Sequence, residues 1–142
     1  MTQLKPMLAS QCDDIDALKY PLLATPKIDG IRCLIIDGVA MSRSLKPIPN
    51  AYIQSIIGRA EYNGLDGELL VGDTFQQATS GIMSEDGEPD FHYYAFDVTD
   101  NPGGYRHRVT DLVMRGARFR SPGCGRIISL FPAAIPGRSQ LD

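Results

Sequence analysis

The sequence has no apolar run approaching the roughly 20 residues that a bilayer-spanning helix needs. Its opening, MTQLKPMLAS, lacks both the basic start and the apolar stretch of a secretory signal. Cysteine is scarce: Cys12, Cys33 and Cys124 are odd in number and show no C-x-x-C spacing. That argues against a disulfide framework and a zinc site, and for a reducing compartment such as the cytoplasm. The two histidines, His92 and His107, stand apart without acidic or cysteine partners and suggest no metal centre. No internal repeat or low-complexity tract occurs. Lysine is restricted to Lys5, Lys19, Lys27 and Lys46, so none lies beyond residue 46, and the dipeptide Glu-Gly is absent altogether.

What remains is an ordinary globular composition. The 142 residues are 43% hydrophobic and 22% charged, about one domain's worth with enough apolar material for a core. The net charge of −3 conceals an imbalance, since residues 1–100 carry −8 and residues 101–142 carry +5. Six arginines fall between Arg106 and Arg126. They read equally as a solvated helix face with its loop or as a phosphate-binding patch, because clustered cations hold phosphates only where geometry allows.

The order of elements points to an α+β fold with largely antiparallel sheets and packed helices. DDIDALKY reads as a short helical turn, LLAT (22–25) and IRCLIID (31–37) as strands, and VAMSRS (39–44) as the hairpin partner returned by Asp37-Gly38. Asn50 suits the N-cap of a helix over AYIQSIIGRAEY, with Ile53, Ile56, Ile57 and Ala60 on one face and Asn63-Gly64 as its end. LDGELLVG (65–72) and the aromatic-rich FHYYAFDV (91–98) read as strands, with a short helix in TFQQATSGIM between them. A helix over YRHRVTDLVMRGARF turns Val109, Leu112 and Val113 inward, and RIISLFPAAI (126–135) closes the series as one more strand.

The chemistry concentrates in KIDGIR (27–32), a polar turn between two apolar runs. A lysine in water has a pKa near about 10.4, so almost none is free amine at neutral pH, and only the free amine can attack an electrophile. Desolvation and nearby cations are the two devices that activate a lysine nucleophile, and the setting of Lys27 predicts partial desolvation. Asp29 and Arg32 can orient a polar ligand, while Gly30 lets one approach the backbone. A plain hairpin turn in which Lys27 pairs with Asp29 fits the same residues. Cys33 reads as packing.

KIDGIR resembles the nucleophile motif of the covalent nucleotidyltransferases: ATP-dependent DNA ligases, RNA ligases and mRNA capping enzymes. PMLA (6–9) resembles the segment opening the adenylation domain of the DNA ligases, SRS (42–44) their next motif, LDGELL (65–70) the one after it, and YYAFDV (93–98) the aromatic strand that follows. The likeness spans residues 6–98, and SRSLKPIPN with TSGIMSEDGEPDF is most similar to the small ligases of bacteriophages and bacteria. It implies an adenylation domain in which Lys27 attacks the α-phosphorus of ATP to give lysyl-AMP, assisted by Mg2+. The AMP then passes to the 5′-phosphate of nicked duplex DNA and is expelled when the strand is sealed, in replication, repair or recombination. Carried over by position, Thr25, Ile28, Asp29, Arg32, Glu68 and Phe96 belong to the nucleotide: Arg32 at the sugar, Glu68 at a ribose hydroxyl or at the metal, Phe96 stacked on the base. Asp29 would support the nucleophile's loop, and Arg43 would meet phosphate of the nucleotide or the DNA. Each has a structural alternative, Phe96 as core, Glu68 as a solvated strand residue and Arg43 as an ordinary surface arginine. The implied setting is a bacterial or phage-infected cytoplasm, with no membrane partner and a monomer by default.

The likeness has gaps. Where many ligases carry a glutamate two residues before the nucleophile, this chain has Thr25, a neutral acceptor. The later glutamate-glycine and K-x-K motifs have no counterpart, and arginine is no substitute for those lysines. The expectation is therefore the N-terminal part of an adenylation domain, over residues 1–142, without the oligonucleotide-binding barrel that follows in the family. RGARFRSPGCGR could also belong to a different reading frame. An RNA ligase or capping-type enzyme, or an ATP- or DNA-binding fragment without activity, are the alternatives.

Overall fold

A computed structural model of the chain describes residues 4–119 and 125–136. It contains β1 (Leu22–Ala24), β2 (Ile31–Ile36), β3 (Val39–Met41), α1 (Ala51–Ile57), β4 (Leu65–Val71), α2 (Phe75–Ile82), β5 (Phe91–Val98), α3 (Tyr105–Gly116), β6 (Ile127–Ser129) and β7 (Ala133–Ile135). The fold is α+β with largely antiparallel sheets, as the sequence predicts. The chain divides into two compact units, Met1–Thr25 with Pro132–Asp142, and Pro26–Phe131.

In the first unit β1 pairs antiparallel with β7, Leu23 facing Ala134. A 3-10 turn, Ile15–Ala17, precedes it, opened by the Asp14 carboxylate accepting the Asp16 N–H at 3.0 Å. The Tyr20 hydroxyl donates to the Ile15 carbonyl at 3.0 Å.

The second unit is a five-stranded sheet in the order β3-β2-β4-β5-β6, antiparallel except for the parallel β5–β6 pair. Strand alternation decides its two faces. Cys33, Ile35, Leu69, Phe91, Tyr93 and Ala95 enter one hydrophobic core with Ile53 and Ile57 of α1, Ala78 and Ile82 of α2, and Leu112 of α3. The helices thus cover one face, and the alternate residues are left for the other.

Caps explain where the helices begin. The Asn50 side chain accepts the Ile53 N–H at 2.9 Å and donates to the carbonyls of Ser84, Asp86 and Gly87, pinning the acidic 84–88 loop. Thr74 and Gln77 close a capping box on α2.

Three sequence expectations are corrected. The helix from Ala51 stops at Ile57, because Gly58 and the extended Arg59 break it, and a separate 3-10 turn, Ala60–Tyr62, runs to Asn63. Ala60 is consequently exposed. On α3, Leu112 is buried but Val113, about 100° further round the helix, is 41% exposed. The single strand expected over 126–135 is two, β6 in one sheet and β7 in the other, separated by Pro132, which has no N–H to continue a ladder.

Candidate functional site

The D-G-E of β4 organises the sheet face turned away from the helices, where Leu34 and Asp66 are buried and Arg32, Glu68, Tyr94 and Phe96 half-buried. Asp66 and Glu68 are two residues apart, so both carboxylates stand on the side away from the helices. On the neighbouring strand Arg32 lies directly across from Glu68, and Leu34 across from Asp66. Arg32 leans one rung and grips Asp66 with a planar fork, Nε to Oδ1 and Nη2 to Oδ2, both at 2.7 Å. Asp66 is almost completely buried, its side chain 3% exposed against 13% for Arg32. The guanidinium also lies over the Phe96 ring, 5.2 Å from its centroid.

Phe96 owes its place to an irregularity in β5. Asp66 pairs with Asp97 but Gly67 with Ala95, so Phe96 is an extra residue in a β-bulge. The bulge resets the alternation after Ala95 and returns Val98 to the core, opposite Leu65. Gly67 permits this close approach: a Cβ there would run into the Tyr94 carbonyl oxygen and lie 2.9 Å from both the Ala95 Cα and the Tyr93 ring. Tyr94, opposite Glu68, completes this face beside Phe96.

The loop before β2 carries Lys27. Its anchor is Gly30, whose N–H donates to Glu68 Oε2 at 3.1 Å. A Cβ at Gly30 would fall on the Leu69 carbonyl oxygen, so only glycine lets the loop lie against β4. Lys27 is exposed, contrary to the desolvation expected from sequence, and among the described residues it forms no ion pair with Asp29, which is exposed too. Its charge is felt by Glu68. Ile28 is half-buried in the same loop.

Thr25, half-buried after β1, is the last residue of the first unit. Arg43 is exposed on the Ser42–Lys46 turn, closed by the Ser42 N–H to the Lys46 carbonyl at 2.7 Å. The Leu34–Met41 pairing puts that turn at the end of the sheet where β2 begins, but no hydrogen bond or ion pair joins Arg43 to the cluster. The structure thus brings Arg32, Glu68, Phe96 and the Gly30 backbone together, with Lys27 at the rim.

Burial governs the electrostatics. Desolvation pushes the Glu68 carboxyl above its ordinary range, against the opposing pull of the Gly30 N–H and Arg32. Asp66 is also raised by burial, with Arg32 countering, while its hydrogen bonds to Arg32 hold that guanidinium more firmly protonated. No group of three His, Cys, Asp or Glu side chains among the described residues is arranged to hold a metal ion. Both Asp66 oxygens are taken by Arg32, leaving one Glu68 oxygen as the site's available carboxylate donor. One carboxylate suits Mg2+, which binds through one or two carboxylates together with substrate phosphates and water.

Asp66 and Gly67 help build this cluster although sequence reasoning did not single them out, and D-G-E within a strand already places two carboxylates on one face. The arginine-rich segment proves to be partly structural. Arg108 binds Asp97 at 2.7 Å, Arg115 binds Asp100 and Asp111, and Arg126 binds Asp90 at 2.8 Å. Arg120 and Cys124 lie outside the described residues. No helix among the described residues is long and apolar enough to cross a membrane.

No protein-family model matches the chain, and no curated protein sequence does. Solved structures do. Two crystal structures of Chlorella virus DNA ligase-adenylate match 96% and 97% of the chain, with TM-scores of 0.83 and 0.82 at 35% and 32% identity. The matched regions are 52% and 53% of those ligases, so the chain spans about half their length. A Lig E DNA ligase, described as binding DNA with a minimal scaffold, shares the fold over 82% of the chain and 46% of its own length, with a TM-score of 0.63 at 20% identity. The chain therefore resembles part of the ATP-dependent DNA ligases.

Proposed function

We propose that this chain is the lysine-bearing part of an ATP-dependent DNA ligase, in which Lys27 accepts AMP from ATP. The observation that carries the reading is the convergence of Arg32, Glu68 and Phe96 on one sheet face, with the Lys27 loop pinned to Glu68 through Gly30. This face supplies three things an adenosine needs. Phe96 offers an aromatic surface for the base. Glu68 has a carboxylate oxygen for a sugar hydroxyl, and Arg32 a fixed cation beside it. The match to a ligase solved as its adenylate supports the same assignment.

The reaction is an in-line displacement at phosphorus. The uncharged Lys27 Nζ gives its lone pair to the α-phosphorus, the nitrogen–phosphorus bond forms, and the bond to the bridging oxygen breaks, with pyrophosphate leaving on the electron pair. The amine sheds its remaining extra proton to solvent, leaving a phosphoramidate. Exposed Lys27 lacks a desolvated setting of its own, and covering by the nucleotide supplies it. A Mg2+ ion bound to the phosphates would neutralise charge developing on the leaving group, and Glu68 would join it only where its open oxygen is not given to the sugar hydroxyl. By the same resemblance Asp29 would support the loop, Ile28 would line the base, and Arg43 would reach phosphate of the nucleotide or of nicked duplex DNA, the partner that receives the AMP.

The test is covalent labelling. Incubation with α-labelled ATP and magnesium should give a labelled band that survives denaturation and disappears in Lys27→Ala. A band that persists in Lys27→Ala removes the lysine from its role. ATP binding with no pyrophosphate released and no band would make the chain a nucleotide-binding piece without the chemistry.

A further inference from the structure

We infer that Glu68 is a positioning residue that couples occupancy of the nucleotide site to the geometry of the Lys27 loop. The inference rests on the nucleotide-binding reading above and deepens it. The Glu68 carboxylate has two ends with different tasks. Oε2 accepts the Gly30 N–H at 3.1 Å, three residues from Lys27. No other hydrogen bond to this carboxylate occurs among the described residues, so its second oxygen is open on the face shared with Arg32, Tyr94 and Phe96. The carboxylate is half-buried, and its position is fixed by a strand paired on both sides.

The loop end of the link is equally constrained. Gly30 is pressed against the Leu69 carbonyl, with Leu70 Cγ 3.2 Å from where a Cβ would stand, so its N–H cannot swing away without moving the backbone of residues 27–30. One side chain therefore joins a ligand-facing oxygen to the nucleophile's own loop. A sugar hydroxyl donating to the open oxygen fixes the carboxylate plane, and with it the direction in which Gly30, and hence Lys27, is held. In a purely structural clamp the Gly30 N–H would be protected to the same degree with or without ligand.

Hydrogen exchange of the Gly30 amide in the whole chain, followed by NMR, distinguishes the two. AMP at saturation should slow that exchange by about tenfold or more, the effect of holding one charge-assisted hydrogen bond in place so that it opens less often. Dideoxy-AMP, which lacks the sugar hydroxyls, should bind without slowing it. In Glu68→Ala the response to AMP should vanish, whereas Glu68→Gln, which keeps an acceptor for Gly30 and a polar group for the sugar, should retain part of it. AMP bound with Gly30 exchange unchanged in the wild type overturns the inference and leaves nucleotide binding standing. A flat AMP binding isotherm overturns both. Should Glu68→Ala fail to fold in a melting curve, the wild-type contrast between AMP and dideoxy-AMP decides alone.

Discussion

Arg32 shows how a single side chain is committed before any ligand arrives. The sequence suggests a guanidinium waiting for a nucleotide sugar, but the structure turns its Nε and Nη2 to Asp66 and rests its plane on Phe96. The pair is buried enough that loss of one partner strands the other. Asp66→Asn should therefore lower stability by about 3 kcal/mol, since removing one partner of a buried pair leaves the other charge without its hydrogen-bonded counterion. A urea midpoint unchanged from wild type would contradict it. Arg32→Lys keeps the charge but loses the fork, so it should restore little of the nucleotide affinity lost in Arg32→Ala. Binding titrations of both variants check this.

At the scale of elements, β4 does most to build the site, and its three-residue D-G-E has three separable duties. Asp66 holds Arg32, Gly67 lets bulged β5 come close, and Glu68 anchors the Lys27 loop. Gly67→Ala should force β4 and β5 apart and displace Phe96, costing about 1–3 kcal/mol as overpacking does. Gly30→Ala should be milder for the fold, because its clash with the Leu69 carbonyl of β4 can be relieved by movement of the loop, yet it should detach that loop from Glu68. Thermal melts together with nucleotide affinity separate the two: the first variant should lose both, the second mainly binding.

The same elements show what could be read from sequence. The strand over 91–98 and the cap at Asn50 follow from local composition, and the structure has them where local signals put them, whereas the capping box at Thr74 went unread. Arg32 and Asp66 are 34 residues apart, and no local pattern states which rung they share. The bulge at Phe96 was invisible for the same reason, since a register shift is a property of two strands. The exposure of Lys27 is a third case: flanking apolar runs predict buried neighbours, whereas burial of a loop side chain depends on what lies above it.

For the molecule as a whole, the imbalance of charge along the sequence is answered in part by ion pairs within the fold. The basic segment supplies Arg108, Arg115 and Arg126 to acids at the two ends of β5, and Arg126 also lies over the Phe91 ring at 5.0 Å. Acids at the surface and acids at the site then respond oppositely to pH. Asp111, hydrogen-bonded by Arg115 and Asn101, and Asp90, hydrogen-bonded by Arg126, are held below their ordinary 3.8. Their stabilisation is present above that value and is lost as pH falls through the depressed pKa. Glu68 runs the other way. Burial raises it above its ordinary 4.5, so the folded chain holds that proton more tightly than the unfolded one does. Its contribution is complete below 4.5 and is lost as pH rises through the raised value. Melting temperature measured across this range should accordingly fall less steeply with rising pH in Glu68→Gln than in the wild type, while both lose stability alike in stronger acid. Identical profiles on the rising-pH side would mean that Glu68 carries its charge into the folded state at no cost, and that the half-buried carboxylate beside Gly30 is better solvated than its surroundings imply.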